Sequence, residues 1–384
     1  MNLDGAVQAL ADRIGRPIIV FDADFAVAAF SVHEADVDSA RLAMILSRKS
    51  STRAMRMIRE HRVQHSTGAV LLPPVDGTPP RVVASLRFDG LITGYLSYVP
   101  RDDETADERE SPAVAIGRDE LGAMLAARQA GVSRRAERTD RLVADLLDGD
   151  LAQRQSAAED LARLGLVGTA DGYAVLLARS TQTGRTSGLA LRKTLTSILA
   201  ECASRSAGAM IEGQAVAVVA DSVATGRLRE LCRTDDFSTV HVGVGPSVPV
   251  LTDAAVSRHR AQIAMDATVL DPTQYSRIAF WDELGIDRLL LQLPLTQLTV
   301  ADLPEPVRRL LREASNADFV RTLEAYLDNG GDAQRTAGHL HIHRSTLYYR
   351  LDRVRELIHV DLADGIVRRE LHTALRIARL AGLS

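Results

Sequence analysis

The spacing of apolar residues near the start of the chain predicts a mixed sheet-and-helix domain. An amphipathic repeat predicts the first helix, and short apolar runs predict the strands. Asp89-Gly90 separates two of these runs, and this dipeptide is a strong signal for a β-hairpin. In chain order, the predicted elements are a helix at 3–14, strands at 17–22 and 25–31, helices at 39–46 and 51–60, and strands at 81–88 and 91–99.

A helical pattern of unusual length follows at residues 113–147, with Leu121 and Leu146 among its apolar positions. Gly131 is the position at which this pattern allows a break. The acidic, polar stretch 101–111 in front of it predicts an exposed loop. Such a long helix can form the seam of a dimer or pack against its own domain, and the sequence favours neither.

A second alternation of strands and helices comes next, and the chain then continues in helices alone. Residues 289–300 predict a helix end and a linker, after which helices follow at 307–314 and around Phe319 and Leu323. The last helix is predicted at 366–380, with Asp364 as its cap. Within the second alternation, the predicted strands are 173–178, 209–211, 215–220, 239–245 and 277–280, and the predicted helices are 187–203, 227–232 and 251–270.

Residues 333–351 predict two helices joined by a tight turn. Ala337, Leu340 and Ile342 are small or apolar where the two helices must meet, and Leu347 begins an apolar stripe that continues through Leu351 and Val354. His343 or Ser345 can cap the second helix, since each can accept a hydrogen bond from an unpaired amide at its start.

The opposite face of the second helix carries the candidate chemistry. Arginine, hydroxyl and tyrosine side chains beside a helix N-terminus suit the major groove of DNA, where arginine can bridge two acceptors on guanine or bind phosphate. Arg344, Ser345, Thr346, Tyr348 and Tyr349 are candidates for base or nearby backbone contact. The full predicted DNA-binding set is Arg335, His343, Arg344, Ser345, Thr346, Tyr348, Tyr349, Arg350 and Arg353.

The other members of this set have more modest predicted roles. Arg350 and Arg353 are predicted to bind phosphate. Arg335 can reach phosphate from the first helix, but an ordinary surface position explains it equally well. The histidines of this segment, His343 among them, are expected to pack or cap.

Composition adds a local charge signal at the C-terminal end of the chain. The chain has 384 residues, enough for two to four domains, and a net charge of −4. Residues 329–384 contain nine arginines and six acidic residues, a net charge of +3, which leaves −7 for the remainder. The basic footprint expected of a nucleic-acid-binding domain therefore lies at the C-terminal end.

Cysteine and histidine usage predicts neither a disulfide framework nor a metal site. Cys202 and Cys232 have no metal-ligand spacing, which favours a reducing cytosol. His61 and His65 have helical i, i+4 spacing, but without a third ligand a solvated helix end explains them better. No apolar run approaches the ~18 residues that a membrane span needs, so no membrane association is expected.

The segment from Leu323 to Leu380 resembles the C-terminal helix-turn-helix domain of the PucR/CdaR class of bacterial transcriptional regulators. The similar stretches are 323–327, the turn 329–332, the run 343–351 and the closing stretch 370–376. The resemblance implies a ligand-responsive, sequence-specific DNA-binding regulator, most simply an activator of metabolic genes. Its implied partners are double-stranded DNA and a small-molecule effector of unknown identity. Because one such domain contacts one half-site, a homodimer or higher homo-oligomer is expected.

The upstream resemblance lies in the order of elements. It implies a multidomain α/β and all-α chain with a GAF/PAS-like α+β sensory domain at 1–110 and a connecting helix at 111–150. A degenerate GGDEF-like α/β domain at 151–300 and the helical helix-turn-helix domain at 301–384 complete the predicted arrangement.

Catalysis and a cofactor are not expected of the central domain. A diguanylate cyclase needs carboxylates for two divalent metals and a glycine-rich hairpin, whereas the hairpin here offers only Glu212-Gly213. Gly330-Gly331-Asp332 separates two helices of the DNA-binding segment, and Gly243-Val244-Gly245 precedes a proline and so lacks the dinucleotide fingerprint. Two rival hypotheses stay open: a nucleotide-processing signalling enzyme acting through the central domain, and a protein–protein interaction module.

Overall fold

The computed structural model describes residues 2–32, 39–48, 50–74, 78–101, 112–182, 185–202, 205–221 and 223–383. The described chain forms two compact units, Met1–Ala136 and Glu137–Ser384. All but the first residue of the predicted acidic loop at 101–111 lies outside the described residues. No described helix combines the length and the apolar composition that a membrane span requires.

The first unit is built on a five-stranded antiparallel sheet in the order β2-β1-β5-β4-β3. The strands are β1 (Ile18–Asp22), β2 (Val27–Phe30), β3 (Val70–Leu72), β4 (Arg81–Phe88) and β5 (Leu91–Tyr98), and the helices are α1 (Leu3–Ile14), α2 (Ser39–Ser47), α3 (Thr52–Glu60) and the start of α4 (Pro112–Asp148).

Alternating side chains of this sheet enter two separate apolar cores. On one face, Val20 and Leu96 pack with Leu10 of α1 and Leu121 of α4. The other face is covered by α3 and the short turn after it, where Ile58 joins other buried residues. The sheet is therefore covered on both sides, as the period-2 alternation of strand residues requires.

The hairpin between β4 and β5 confirms the turn predicted at Asp89-Gly90. Asp89 and Gly90 have φ values of 48° and 77°, so both occupy the left-handed region that a two-residue turn of this kind needs. The three-residue strand β3 was not predicted, because a run so short carries no period. His61 and His65 do not share a helix: α3 ends at Glu60, and Arg62 turns the chain with φ 51°.

The long helix α4 runs without interruption through Gly131, so the break allowed there does not occur. A helix that the apolar pattern had not distinguished, α5 (Leu151–Arg163), follows it. Asp150 caps α5: its side chain accepts a hydrogen bond from the Gln153 amide, and the Gln153 side chain accepts one from the Asp150 amide. This reciprocal capping box satisfies two amides that the first turn of a helix leaves unpaired.

After α5, the second unit contains another five-stranded sheet, in the order β10-β9-β6-β8-β7. Only β9 and β10 pair in parallel; the other neighbours are antiparallel. Its strands are β6 (Tyr173–Ser180), β7 (Ser206–Ile211), β8 (Gln214–Ala220), β9 (Val240–Val244) and β10 (Ile278–Phe280), and its helices are α6 (Arg185–Cys202), α7 (Thr225–Leu231), α8 (Ala254–Leu270), α9 (Pro272–Tyr275) and α10 (Asp287–Leu290).

The two glycines of Gly243-Val244-Gly245 allow α8 to lie directly against β9. A Cβ atom on Gly243 would stand 2.1 Å from the carbonyl oxygen of Ala261, and one on Gly245 would stand 2.1 Å from that of Ser257. Both obstacles are backbone atoms, which cannot move without displacing the helix. These glycines therefore serve the approach of a helix to a strand, in agreement with their lack of a dinucleotide fingerprint.

We expect Gly243→Ala to lower the free energy of unfolding by about 1–3 kcal/mol, the usual cost of overpacking a core. Chemical denaturation followed by circular dichroism measures this change. Gly188→Ala in α6 is the matched control, because a Cβ there meets no atom within 4 Å and alanine favours a helix. Equal stabilities of the two variants would contradict the assigned role of Gly243.

The rest of the second unit is helical. Its helices are α11 (Glu305–Leu311), α12 (Ala317–Asp328), α13 (Ala333–His339), α14 (Arg344–Ile358) and α15 (Gly365–Leu380). One apolar core joins them, with Leu323, Leu347, Leu351, Leu371 and Leu375 all at most 3% exposed. The predicted helix end and linker at 289–300 contains the end of α10, a short 3-10 turn at Leu295–Gln297 and the start of another at Val300–Asp302.

Candidate nucleic-acid interface

The entry into α13 is set by two glycines and an aspartate. Gly330 and Gly331 have φ values of 64° and 84° and turn the chain after α12. The Asp332 Oδ1 atom then accepts hydrogen bonds from the amides of Gln334 at 2.8 Å and Arg335 at 3.0 Å. The sequence Gly-Gly-Asp is thus a helix terminus followed by an N-cap, as the sequence predicted.

A tight turn of four residues carries the chain from α13 to α14. His341 occupies the left-handed region with φ 51°, a conformation in which glycine or asparagine is more usual. The amide of Ile342 donates to the carbonyl of Ala337 at 3.0 Å and closes the turn against the first helix. This turn fixes the angle between α13 and α14 and so the direction in which the outward face of α14 points.

His343 is the N-cap of α14, which decides between the two candidates. Its Nδ1 atom accepts a hydrogen bond from the Ser345 amide at 3.3 Å, and the Ser345 hydroxyl lies 2.8 Å from the same atom. An acceptor at Nδ1 must be unprotonated, so neutral His343 carries its proton on Nε2. Ser345 is thereby held in place by the cap instead of forming it.

The outward face of α14 presents the predicted base-contacting side chains. Leu347, Leu351 and Val354 are at most 1% exposed, while Tyr348 and Tyr349 are 47% and 64% exposed. Arg344, Ser345 and Thr346 are also exposed, at the capped end of the helix. One turn beyond Tyr348 and Tyr349, the exposed Asp352 pairs with Arg355. The exposed arginine, hydroxyl and tyrosine side chains of the first two turns are therefore followed by an acidic side chain.

Arg350 lies between α14 and α12 and not on the outward face. Its Nη1 atom donates to Thr322 Oγ1 and its Nη2 atom to Asp318 Oδ2, both at 3.3 Å, and its side chain is 25% exposed. Hydrogen bonding to Arg321, together with the charges of Arg350 and Arg321, lowers the pKa of Asp318. In this arrangement Arg350 joins two helices of the domain.

Arg353 and Arg335 are exposed and weakly held. Arg353 pairs with Glu356, and Arg335 Nε lies 3.3 Å from Asp332 Oδ2, each within one helical turn. Solvent screens exposed pairs of this kind and leaves them weak, so either arginine can exchange its carboxylate for a phosphate at little cost.

A buried ion-pair network connects the last helix, α15, to the part of the second unit that is built on the β6–β10 sheet. The sequence did not predict this network. Arg376 of α15 is 16% exposed and pairs with Asp271, which is 2% exposed, and with Asp287, which is 4% exposed. Its Nε atom lies 3.1 Å from both carboxylate oxygens of Asp287. The Tyr275 hydroxyl donates to Asp287 Oδ2 at 2.6 Å and completes the network.

The ionisation of this network follows from its contacts. Burial alone raises the pKa of Asp271, but hydrogen bonds from Thr273 and Arg376 and the charge of Arg376 outweigh it and leave the pKa below its ordinary value. Burial raises the pKa of Tyr275, and its hydrogen bond to Asp287 raises it further. Arg376 stays protonated because both carboxylates outweigh its desolvation and raise its pKa. The network therefore holds charged Arg376 and neutral Tyr275.

No signal in the sequence could have paired these residues. Arg376 lies 89 positions from Asp287 and 105 from Asp271. The only local sign is Asp271-Pro272, a helix-start pattern that caps α9 through the Gln274 amide at 3.2 Å.

Comparison with known proteins bears on the C-terminal segment and on the whole length of the chain. A family model described as the PucR C-terminal helix-turn-helix domain matches residues 319–377 and confirms the resemblance of that segment. The proline-responsive transcriptional activator PutR of Bacillus subtilis (strain 168) is 21% identical over 408 residues, which cover 98% of this chain and 97% of PutR.

Two solved structures show weaker likeness. A regulator of polyketide synthase expression from Bifidobacterium adolescentis matches with a TM-score of 0.30 and 20% identity, over 63% of this chain and 92% of that one. A bacteriophytochrome from the photosynthetic bacterium R. palustris matches with a TM-score of 0.30 and 14% identity, over 57% of this chain and 60% of that one. TM-scores this low do not establish a shared fold.

Proposed function

We propose that this chain, a DNA-binding transcriptional regulator with a PucR-type helix-turn-helix domain, recognises its operator through the first two turns of α14. The observation that supports this most directly is the exposed surface formed by Arg344, Ser345, Tyr348 and Tyr349 beside a capped helix start. Helix-turn-helix proteins place the N-terminal residues of their second helix against base edges. Arg335 and Arg353 flank this surface and bind phosphate in our proposal.

We further propose that the regulator activates transcription. PutR, with which this chain aligns over nearly its whole length, is named a transcriptional activator. DNA binding by two copies of the chain is part of the proposal, because a single domain of this type contacts one half-site. Light scattering and footprints that cover two half-sites test the dimer; a monomer bound to one half-site would contradict it.

The upstream domains supply the response to a small-molecule effector in our proposal. An antiparallel sheet covered by helices supports a GAF/PAS-like sensory role for about residues 1–110, and the β6–β10 sheet with its hairpin at Glu212-Gly213 supports a degenerate GGDEF-like domain at about 151–300. The helix Pro112–Asp148 fits the connecting helix at 111–150, and α11 to α15 fit the DNA-binding domain at 301–384.

A cleft of about 600 Å³ in the first unit is the proposed effector site. Met44 of α2, Met57 of α3 and Leu72 of β3 give it an apolar wall, and Arg53 and Arg81 also line it. This size suits a metabolite, since ligand clefts usually measure ~300–1,000 Å³ and combine apolar walls with a few polar groups.

Arg344→Ala tests the proposed recognition surface. We expect it to weaken specific binding by about 1–3 kcal/mol and to relax discrimination at one base position, because arginine bound to a guanine edge contributes this much. The measurement is selection of fragments from the source genome, followed by titration of an enriched fragment and a scrambled one.

The matched control is Arg369→Ala, which removes an exposed arginine of α15 that belongs to neither helix of the helix-turn-helix pair α13 and α14. It should keep the discrimination of the wild-type chain. If Arg344→Ala binds the enriched and scrambled fragments with the same ratio as the wild-type chain, Arg344 does not recognise a base. Affinity should also fall steeply with salt, which a protein-binding surface would not require.

A further inference from the structure

A second cleft, of about 820 Å³, lies in the central sheet domain at the edge formed by β10. It is bordered by α7, by β9 and β10, and by α9. Three arginines line it, Arg229, Arg233 and Arg277, together with His241 and a single carboxylate, Glu283. Its volume is that of a site for a small metabolite.

The charges around this cleft do not balance. Glu283 pairs with Arg229, whose guanidinium also lies 4.6 Å from the centre of the Phe280 ring. Among the described residues, Arg233 and Arg277 form no ion pair with a carboxylate. Two positive charges therefore face the cleft without local compensation. An anionic ligand in the cleft would balance these two charges.

His241 adds a neutral polar group to the same wall. Its Nδ1 atom lies 2.8 Å from the Thr268 hydroxyl, which itself donates to the Met265 carbonyl. The Thr268 oxygen must therefore accept, so Nδ1 of His241 carries the proton and Nε2 is free of one in the neutral ring. Burial, reinforced by the charges of Arg179 and Arg277, lowers the pKa of His241.

We propose that this cleft binds a small organic molecule that carries a phosphate group. Guanidinium groups present planar, paired donors that match phosphate oxygens, and charge-assisted bonds of this kind are about twice as strong as neutral ones. Arg277 and Arg233 bind the phosphate, Arg229 stays with Glu283, and the remaining volume accommodates the organic part.

The cleft and the Arg376 network share the short helix α9. Tyr275 lines the cleft and also donates to Asp287, while Asp271 caps α9 and pairs with Arg376. A ligand that displaces α9 by a fraction of an ångström must therefore alter the carboxylates that hold α15. This link from the cleft through α9 to α15 rests on the proposed function of the helix-turn-helix domain. It makes the cleft a site through which a phosphate-bearing metabolite alters DNA binding.

Calorimetric titration of the full chain, without DNA, tests the site itself. The probes are ATP and inorganic pyrophosphate, with citrate as a carboxylate of comparable charge. We expect both phosphates to bind at one site per chain and Arg277→Met or Arg233→Met to weaken binding about tenfold or more, the effect of losing a charged hydrogen bond. Arg192→Met, an exposed arginine of α6 outside the cleft, should bind like the wild-type chain.

Three results would overturn the site: no phosphate binding, equal binding by the Arg277→Met and Arg192→Met variants, or binding of citrate alone. The DNA step is tested separately, by titrating an enriched fragment with and without ATP. We expect ATP to change the affinity at least threefold in the wild-type chain and not in Arg277→Met. ATP that binds in calorimetry and leaves DNA affinity unchanged would overturn the coupling. Loss of DNA binding by every form of the chain would instead contradict the proposed function.

Discussion

Arg376→Met is expected to lower the free energy of unfolding of the second unit by about 3–5 kcal/mol. The substitution keeps most of the volume of the side chain but leaves Asp271 and Asp287 buried beside each other without their cation. Removing one partner of a buried ion pair costs this much because the remaining charge is neither solvated nor compensated. Urea unfolding followed by the fluorescence of Trp281, the only tryptophan of the chain, measures the loss, since Trp281 packs close to Tyr275.

Two further variants separate a charge effect from a packing effect. Arg369→Met on the same helix replaces an exposed arginine and should change stability by no more than about 0.5 kcal/mol. Adding Asp271→Asn and Asp287→Asn to Arg376→Met should restore part of the lost stability, because the uncompensated charges are then gone. If the triple variant is less stable than Arg376→Met alone, the loss comes from packing and not from charge.

The network also makes the free energy of unfolding of the wild-type chain depend on pH, in a direction that follows from the pKa of Asp271. The pKa of Asp271 lies lower in the folded chain than its ordinary value of 3.8. Its carboxylate therefore contributes stability that is complete above about pH 3.8 and is lost as the pH falls through the folded-state pKa. The Arg376→Met variant lacks the cation that causes much of this shift, so its unfolding free energy should fall less steeply in acid.

Leu351→Ala is expected to cost about 2–5 kcal/mol and to loosen the helix-turn-helix domain. Leu351 is 1% exposed and lies in the core shared by α12, α13 and α14. Truncating a buried leucine removes its transfer free energy and leaves a cavity that the surrounding helices fill only in part. Hydrogen exchange of peptides from α13 and α14 measures the effect, and their protection should fall by about thirtyfold or more, since each 1.4 kcal/mol is a factor of about ten.

Tyr349→Ala is the companion variant, two positions away on the opposite face. Tyr349 is 64% exposed, so its truncation should leave the exchange of α14 unchanged while weakening DNA binding. Loss of protection in both variants would mean that the outward face of α14 is also a structural surface. Normal exchange in Leu351→Ala would mean that the core around it relaxes without cost.

The sequence predicted local structure well wherever a short-range signal decides it. Asp332 and Asp364 begin their helices as expected, since an aspartate side chain can satisfy the first amides without any distant partner. The hairpin at Asp89-Gly90 forms for a similar reason: two residues that tolerate positive φ determine the turn. The stripe from Leu347 to Val354 is buried because its period matches that of a helix.

The structural features that could not be predicted from the sequence depend on partners far away in the chain. Arg350 and Arg344 lie six positions apart, yet only the packing of α12 decides that Arg350 points towards Thr322 while Arg344 remains exposed. The choice of His343 over Ser345 as the cap depends on where the turn at His341 ends, because both residues can accept a hydrogen bond. The partners of Arg376 were beyond reach because no periodicity connects residues some ninety positions apart.

If DNA is recognised as we propose, the two turns of α14 limit how much sequence information one copy of the chain can use. Two helical turns cover about 11 Å at 1.5 Å per residue, close to three base pairs at the ~3.4 Å rise of DNA. A given sequence of three bases recurs by chance about every 64 positions, whereas a genome offers on the order of a million competing sites. In the proposed mode of recognition, an operator therefore gains its uniqueness from the number, spacing and orientation of such three-base sequences. Mutations that change the distance between them should therefore be as damaging as mutations within them.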